Sequence, residues 1–131
     1  MKIELQERLF TAFPRLYADR NASFQESLMA FGLEVGDGWF DILWRLSEAL
    51  EAEINALPPS DDLPRAVQVK EKYGEIRVYL SSETDTMTRA IEQAEAESAI
   101  TCESCGLRGT LRGTHWVITL CDLCEAEKRR T

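Results

Sequence analysis

Histidine occurs once in this chain, at position 115, and that scarcity removes much of the enzymatic metal chemistry at the outset. A His-Glu-x-x-His zinc helix needs two imidazoles, and a metal-dependent nuclease needs imidazole both as base and as ligand. Glycine-rich phosphate loops and nucleophile elbows are missing as well, which takes away the usual marks of nucleotide and serine hydrolases. No apolar run approaches the roughly 18 to 20 residues that span a bilayer, and MKIELQERLF carries acids where a signal peptide is apolar. The expected compartment is therefore the cytoplasm, which makes the acceptor triplet Asn21-Ala22-Ser23 a chance match. Basic charge is short too: 15 Lys and Arg face 23 Asp and Glu, a net −8 that disfavours nucleic acid and anionic membranes as partners. No internal repeat and no low-complexity tract interrupts the chain.

What is present is enough for one core. A chain of 131 residues with 44% hydrophobic and 29% charged residues has the balance of a soluble globular domain. Its charge is uneven: residues 1–99 hold 10 bases and 19 acids, or −9, while residues 100–131 hold 5 and 4, or +1. Leu5, Leu9 and Phe13 recur at helical spacing ahead of Pro14, and a short second helix is expected over 22–30, closed by Gly32. The strongest helical pattern follows: Trp39, Ile42, Leu43, Leu46, Leu50 and Ile54 form one stripe, with Asp37 placed to cap the start and Pro58 to stop it. PPSDDLP is a loop. AVQVKEKYGEIRVYL then alternates as a two-stranded hairpin with Val67, Val69, Ile76, Val78 and Leu80 on one face and a turn near Tyr73 and Gly74. A last helix of this half, over 86–99, runs directly into the cysteines.

Cys102 and Cys105 form one Cys-x2-Cys pair, Cys121 and Cys124 another, and 15 residues lie between the pairs. Each pair puts two thiolates on a tight knuckle, and a short hairpin brings the knuckles together around a tetrahedral ion. Gly106, directly after Cys105, suits a knuckle that needs positive φ. Between the pairs, Gly109 and Gly113 supply turns, and His115 to Leu120 a strand; after Cys124, EAEKRR has acids first and bases last, matching a helix dipole. The expectation is one structural Zn2+ on Cys102, Cys105, Cys121 and Cys124, in a treble clef if that helix forms and a zinc ribbon if it does not. Disulfides would need an oxidising compartment, and a redox Cys-x-x-Cys would need a thioredoxin-like alternation of strands and helices. Four thiolates leave no open coordination position, so the ion is structural rather than catalytic. His115 begins a strand beside Trp116 or faces solvent.

Two surfaces are candidates for a partner. The outer hairpin face carries Lys70, Lys72, Arg77 and Tyr79, cations with one aromatic, diluted by Glu71 and Glu75. Phe40 and Trp44 lie about 100° and 140° from a stripe centred on Trp39, taking 100° per residue. They either pack beneath the N-terminal helices or form an exposed aromatic anchor for a protein.

The ending TLCDLCEAEKRRT is similar to the close of HNH endonucleases over about a dozen residues. Those enzymes place a ββα metal site with an Asp-His step between their cysteine pairs, where this chain has 15 residues and a histidine that follows Thr114. No catalytic residue is carried over from them. GDGWFDILWRL, VQVKEKYGEIRVYL, AIEQAEAESAITCESCG and WVITLCDLC together, over about residues 33–124, resemble a group of small uncharacterised proteins of bacteria and their phages. The resemblance implies the same architecture and a prokaryotic or viral setting, with the bacterial or the phage host's cytoplasm as its compartment.

The expected fold class is α+β: N-terminal helices with a two-stranded hairpin over 1–99, fused to the zinc module at 100–131 and packed with it as one unit. The expected function is that of a non-catalytic interaction protein that binds another protein, as a phage or mobile-element effector or inhibitor. The alternatives are a nucleic-acid-binding zinc protein using Lys70, Lys72, Arg77 and the basic tail, and an HNH-like nuclease. There is no membrane role.

Overall fold

The computed structural model describes residues 1–130. The first stripe forms α1 (Ile3–Ala12), and Phe13 leaves helical geometry because Pro14 crowds it. The helix expected over 22–30 does not form: the chain turns repeatedly, and only Leu28–Phe31 coils, as a 3-10 turn. The break is at Ser27, whose backbone is extended and whose Oγ accepts the Met29 N–H, so the single turn begun at Ser23 does not continue as a helix.

Next comes β1 (Leu33–Glu34), then a 3-10 turn at Asp37–Trp39 that feeds α2 (Phe40–Ala56). Asp37 does not cap α2. Its carboxylate instead accepts the Lys2 N–H at 2.8 Å, strapping the N-terminus across the helix start. α2 buries Ile42, Leu43, Leu46, Leu50 and Ile54 as its spacing requires, and with them Ser47 and Glu51. Those two polar groups have assigned work: the Glu51 carboxylate accepts the Arg15 and Leu16 N–H groups at 3.1 and 2.7 Å, and Ser47 Oγ bonds the Tyr17 hydroxyl at 2.7 Å. The irregular segment after α1 is thereby held to α2.

β2 (Ala66–Lys72) and β3 (Glu75–Leu80) pair antiparallel through the turn residues Tyr73 (φ +54°) and Gly74 (φ +78°), both left-handed as a tight primed turn demands. The sheet has three strands rather than two, because β1 lies parallel against β2 in the order β1-β2-β3. A bulge between Ala66 and Gln68 also changes the inner face: Ala66 is buried in the place expected for Val67, which is left half-exposed. Thr84 caps α3 (Asp85–Ser98) by accepting the Met87 N–H, and the helix buries Met87, Ile91, Ala94 and Ser98. At its end Ser98 Oγ accepts the Ile76 N–H of edge strand β3. The C-terminal part comprises β4 (Thr110–Arg112), β5 (Ile118–Leu120) and α4 (Asp122–Arg130). The whole is an α+β chain with one main core; among the described residues the buried hydrophobic cluster of the C-terminal part is Cys102, Leu120 and Cys121. Among the described residues no helix is long and apolar enough to cross a membrane.

Candidate metal centre

Four sulfur atoms meet between two knuckles. The Sγ atoms of Cys102, Cys105, Cys121 and Cys124 all lie within 4.8 Å of one another, with Cys105 and Cys121 at 3.6 Å, and all four are free thiols. A tetrahedron built on metal–thiolate bonds of about 2.3 Å has edges of about 3.8 Å, so the cluster fits one ion. The first knuckle is tightened by the Gly106 N–H donating to the Cys102 carbonyl and the Cys102 N–H to the Leu107 carbonyl, with Gly106 at φ +84°. Cys121 follows β5 directly and Cys124 lies in the first turn of α4, so the helix's positive end faces the sulfurs.

The thiols compete for charge. Burial pushes Cys102 up, but hydrogen bonds from the backbone of Cys121, Cys105 and Ser104 outweigh it and bring the thiol down to about 7. Cys124 is pushed well up, first by its hydrogen bond with the Cys121 sulfur and then by burial. A backbone hydrogen bond at Leu107 pulls Cys105 down, yet burial and the Cys102 and Cys121 thiols carry it up overall. Of these three thiols, Cys102 is thereby held nearest to ionisation, and a bound cation would favour the thiolate form at each ligand.

The knuckle is also gripped from outside, and here the Gly-Asp-Gly-Trp stretch finds its purpose. The Gly36 N–H donates to the Glu103 carboxylate at 2.9 Å, the Gly38 N–H to the Glu103 carbonyl at 2.8 Å, and Trp39 Nε1 to the Thr101 carbonyl at 2.8 Å. A β-carbon at Gly38 would run into the Cys102 carbonyl oxygen and lie 2.6 Å from the Gly106 nitrogen. Backbone approach this close is open only to glycine. Sequence reading missed this dock, although two glycines flanking one residue at a helix start were the available signal. A second clamp lies opposite: buried Thr119 Oγ1 donates to the Gly74 carbonyl at 2.7 Å, so the β2–β3 turn sits on the β4–β5 hairpin.

The candidate partner residues fall in different places. Phe40 and Trp44 are half-buried against α1: Phe13 meets Trp44 edge-on at 4.9 Å, and the Arg8 guanidinium lies 4.8 Å from the Phe40 ring. Arg77 is paired with Glu75 at 3.0 Å and Glu95 at 3.3 Å. Lys72 lies over Tyr73, Lys70 stands opposite Arg77, and Tyr79 opposite Gln68 edges a groove toward Phe24 and Leu28. His115 and Trp116 lie outside the strand expected to hold them, because Gly113 and its neighbours form the hairpin loop and β5 begins only at Ile118. Both are exposed, and Trp116 at 91% is the most exposed large apolar side chain among the described residues.

Fold and site define an α+β chain with a four-cysteine cluster able to hold one metal ion. Compared with protein-family models, with curated proteins and with solved structures, the chain matches none.

Proposed function

We propose that this chain is a non-catalytic interaction protein built around one structural Zn2+. Its biological role on this reading is that of a phage or mobile-element effector that binds a host protein. The observation that carries the zinc is the closure of four thiols within 4.8 Å at two Cys-x2-Cys knuckles. Zn2+ favours all-thiolate tetrahedral sites, and when bound it cross-links the two knuckles and neutralises their charge. The order knuckle, hairpin, then a helix that begins within the second pair supports a treble clef. With four protein ligands no position is left for substrate, and the lone imidazole, His115, is an exposed loop residue, both of which support a non-catalytic reading.

Binding to nucleic acid has less behind it. Arg77 is neutralised by Glu75 and Glu95, and the chain carries −8. The testing experiment is metal analysis of protein purified without chelators. One zinc per chain, displaced with loss of structure by a strong chelator, is expected; a fully folded chain carrying far less than one ion would sink the proposal. On the same material, a gel-shift series at low salt is expected to show no complex with DNA or RNA.

A further inference from the structure

Of the four clustered cysteines, Cys105 alone is exposed: Cys102 and Cys121 are buried and Cys124 is half-buried. Cys105 also lines an open cleft of about 410 Å³ between the start of α2 and the first knuckle, beside Phe40, Thr101 and Leu107. Its sulfur lies 3.6 Å from that of Cys121. The Cys121 sulfur accepts the Cys124 N–H at 3.4 Å, and at 7% exposure this residue is met chiefly from within the cluster. Backbone beside the two sulfurs is already joined, the Glu103 N–H donating to the Thr119 carbonyl at 2.9 Å. Closing the sulfur gap to the about 2.05 Å of a disulfide therefore calls for side-chain rotation and brings no distant segments together.

We propose that Cys105 is an oxidation site, which hydrogen peroxide converts to a Cys105–Cys121 disulfide that replaces the ion as the cross-link between the two knuckles. The exposed Cys105 thiolate attacks the peroxide: an S–O bond forms as the O–O bond breaks, leaving a sulfenic acid on Cys105 and a hydroxide. The Cys121 thiolate then attacks that sulfur; the S–S bond forms, the S–O bond breaks, and a second hydroxide leaves. Two thiolates have given up two electrons, and two protons from solvent turn the hydroxides into water. Cys102 and Cys124 then remain as thiols, and two ligands do not make a four-coordinate site. The knuckles nevertheless stay tied, because the bridge joins the same two segments, one after α3 and one after β5, that an ion on the cluster would join. A bridge that forms under peroxide and is undone by thiols needs no standing oxidising compartment.

The inference rests on the metal reading for the ion that the bridge replaces. It is tested on the full, metal-loaded chain with hydrogen peroxide, reading released Zn2+ with a colorimetric indicator and remaining thiols on the same samples. One ion is expected to leave for every two thiols lost. Non-reducing peptide mapping should find Cys105 joined to Cys121, and a thiol reductant with added Zn2+ should restore the starting state. Cys105→Ser should slow peroxide-driven thiol loss at least about tenfold. In hydrogen exchange, the Gly38, β4 and β5 amides of the oxidised, metal-free chain should exchange at least about tenfold more slowly than those of a chain stripped by chelator under reducing conditions. A bridge confined to one knuckle, Cys102 with Cys105 or Cys121 with Cys124, overturns the proposal. So do thiols lost to sulfinic acid without bridging, and an oxidised chain that exchanges as fast as the chelated one. If the purified chain carries no zinc, the metal reading falls, and peptide mapping of the peroxide-treated thiols still decides the bridge.

Discussion

Gly38 has no side chain, and the Cys102 carbonyl oxygen fills the space a β-carbon would need. Gly38→Ala therefore forces the first knuckle and the helix start apart. The expected cost is about 1–3 kcal/mol in denaturant unfolding, with weaker metal retention in a competition assay against a chelator. Tryptophan shows how far burial outweighs residue type. Trp39 is fully buried and Trp116 almost fully exposed, so Trp39→Ala should cost about 3–5 kcal/mol, whereas Trp116→Ala should leave monomer stability within about 0.5 kcal/mol. Tyr17 governs the alkaline limb. Burial raises its hydroxyl from 10.0 to about 12, its bond to Ser47 pulling back only in part. Folded protein thus keeps a proton that unfolded chain loses above about pH 10, so stability is whole below that pH and falls as pH rises toward 12. The share lost is about 3 kcal/mol. Tyr17→Phe should flatten that part of the stability–pH curve, at a cost of about 1 kcal/mol at neutral pH for the lost hydrogen bond.

At the scale of elements, the C-terminal hairpin and α4 have too small a core to stand alone, since their buried cluster is Cys102, Leu120 and Cys121. They are held by two docks, one on Gly36 to Trp39 and one on Gly74, and would be held further by a metal ion on the four-cysteine cluster. Loss of metal should therefore travel. In hydrogen exchange, chelation is expected to speed the Gly38 amide as well as those of β4 and β5, and Trp39 emission should shift to the red. If protection at the start of α2 stayed unchanged while the cysteine segment opened, the two halves would be energetically separate and the dock merely a contact. α2 has a second set of ties, through Glu51. Glu51→Ala leaves the Arg15 and Leu16 N–H groups without their carboxylate and should cost about 1.5–3 kcal/mol by thermal melting.

At the scale of the whole molecule, charge is divided unevenly and exposed apolar surface is not. The acids lie mostly in residues 1–99, whereas Ile3, Phe24, Phe31 and Tyr73 in that part and Leu107, Leu111, Trp116 and Leu123 in the C-terminal part are all more than half exposed. A chain of net −8 repels its own copies. Salt raised from low to physiological ionic strength should screen that repulsion, read as a fall in the second virial coefficient by light scattering.

The sequence by itself determined the features that depend on near neighbours. Two Cys-x2-Cys pairs specify four thiols able to ligate because each pair closes its own knuckle, and the stripes of α2 and α3 follow from a 3.6-residue period that needs no distant partner. The outer boundaries were legible for the same reason, with Pro14 and Pro58 ending helices by local sterics. Tertiary structure alone decided the rest. Gly36 meets Glu103 across 67 positions, and Thr119 meets Gly74 across 45, separations at which no periodicity survives. The third strand belongs to this class, because two residues acquire strand geometry only when β2 is there to pair with them. So does the bulge that exchanges Val67 for Ala66. Whether Phe40, Trp44, Trp39 or Trp116 reached solvent depended on what was laid over each: Arg8 of α1 lies over Phe40 and Phe13, just past α1, against Trp44, the first knuckle and the core enclose Trp39, and Trp116 lies in a hairpin loop where no described residue buries it.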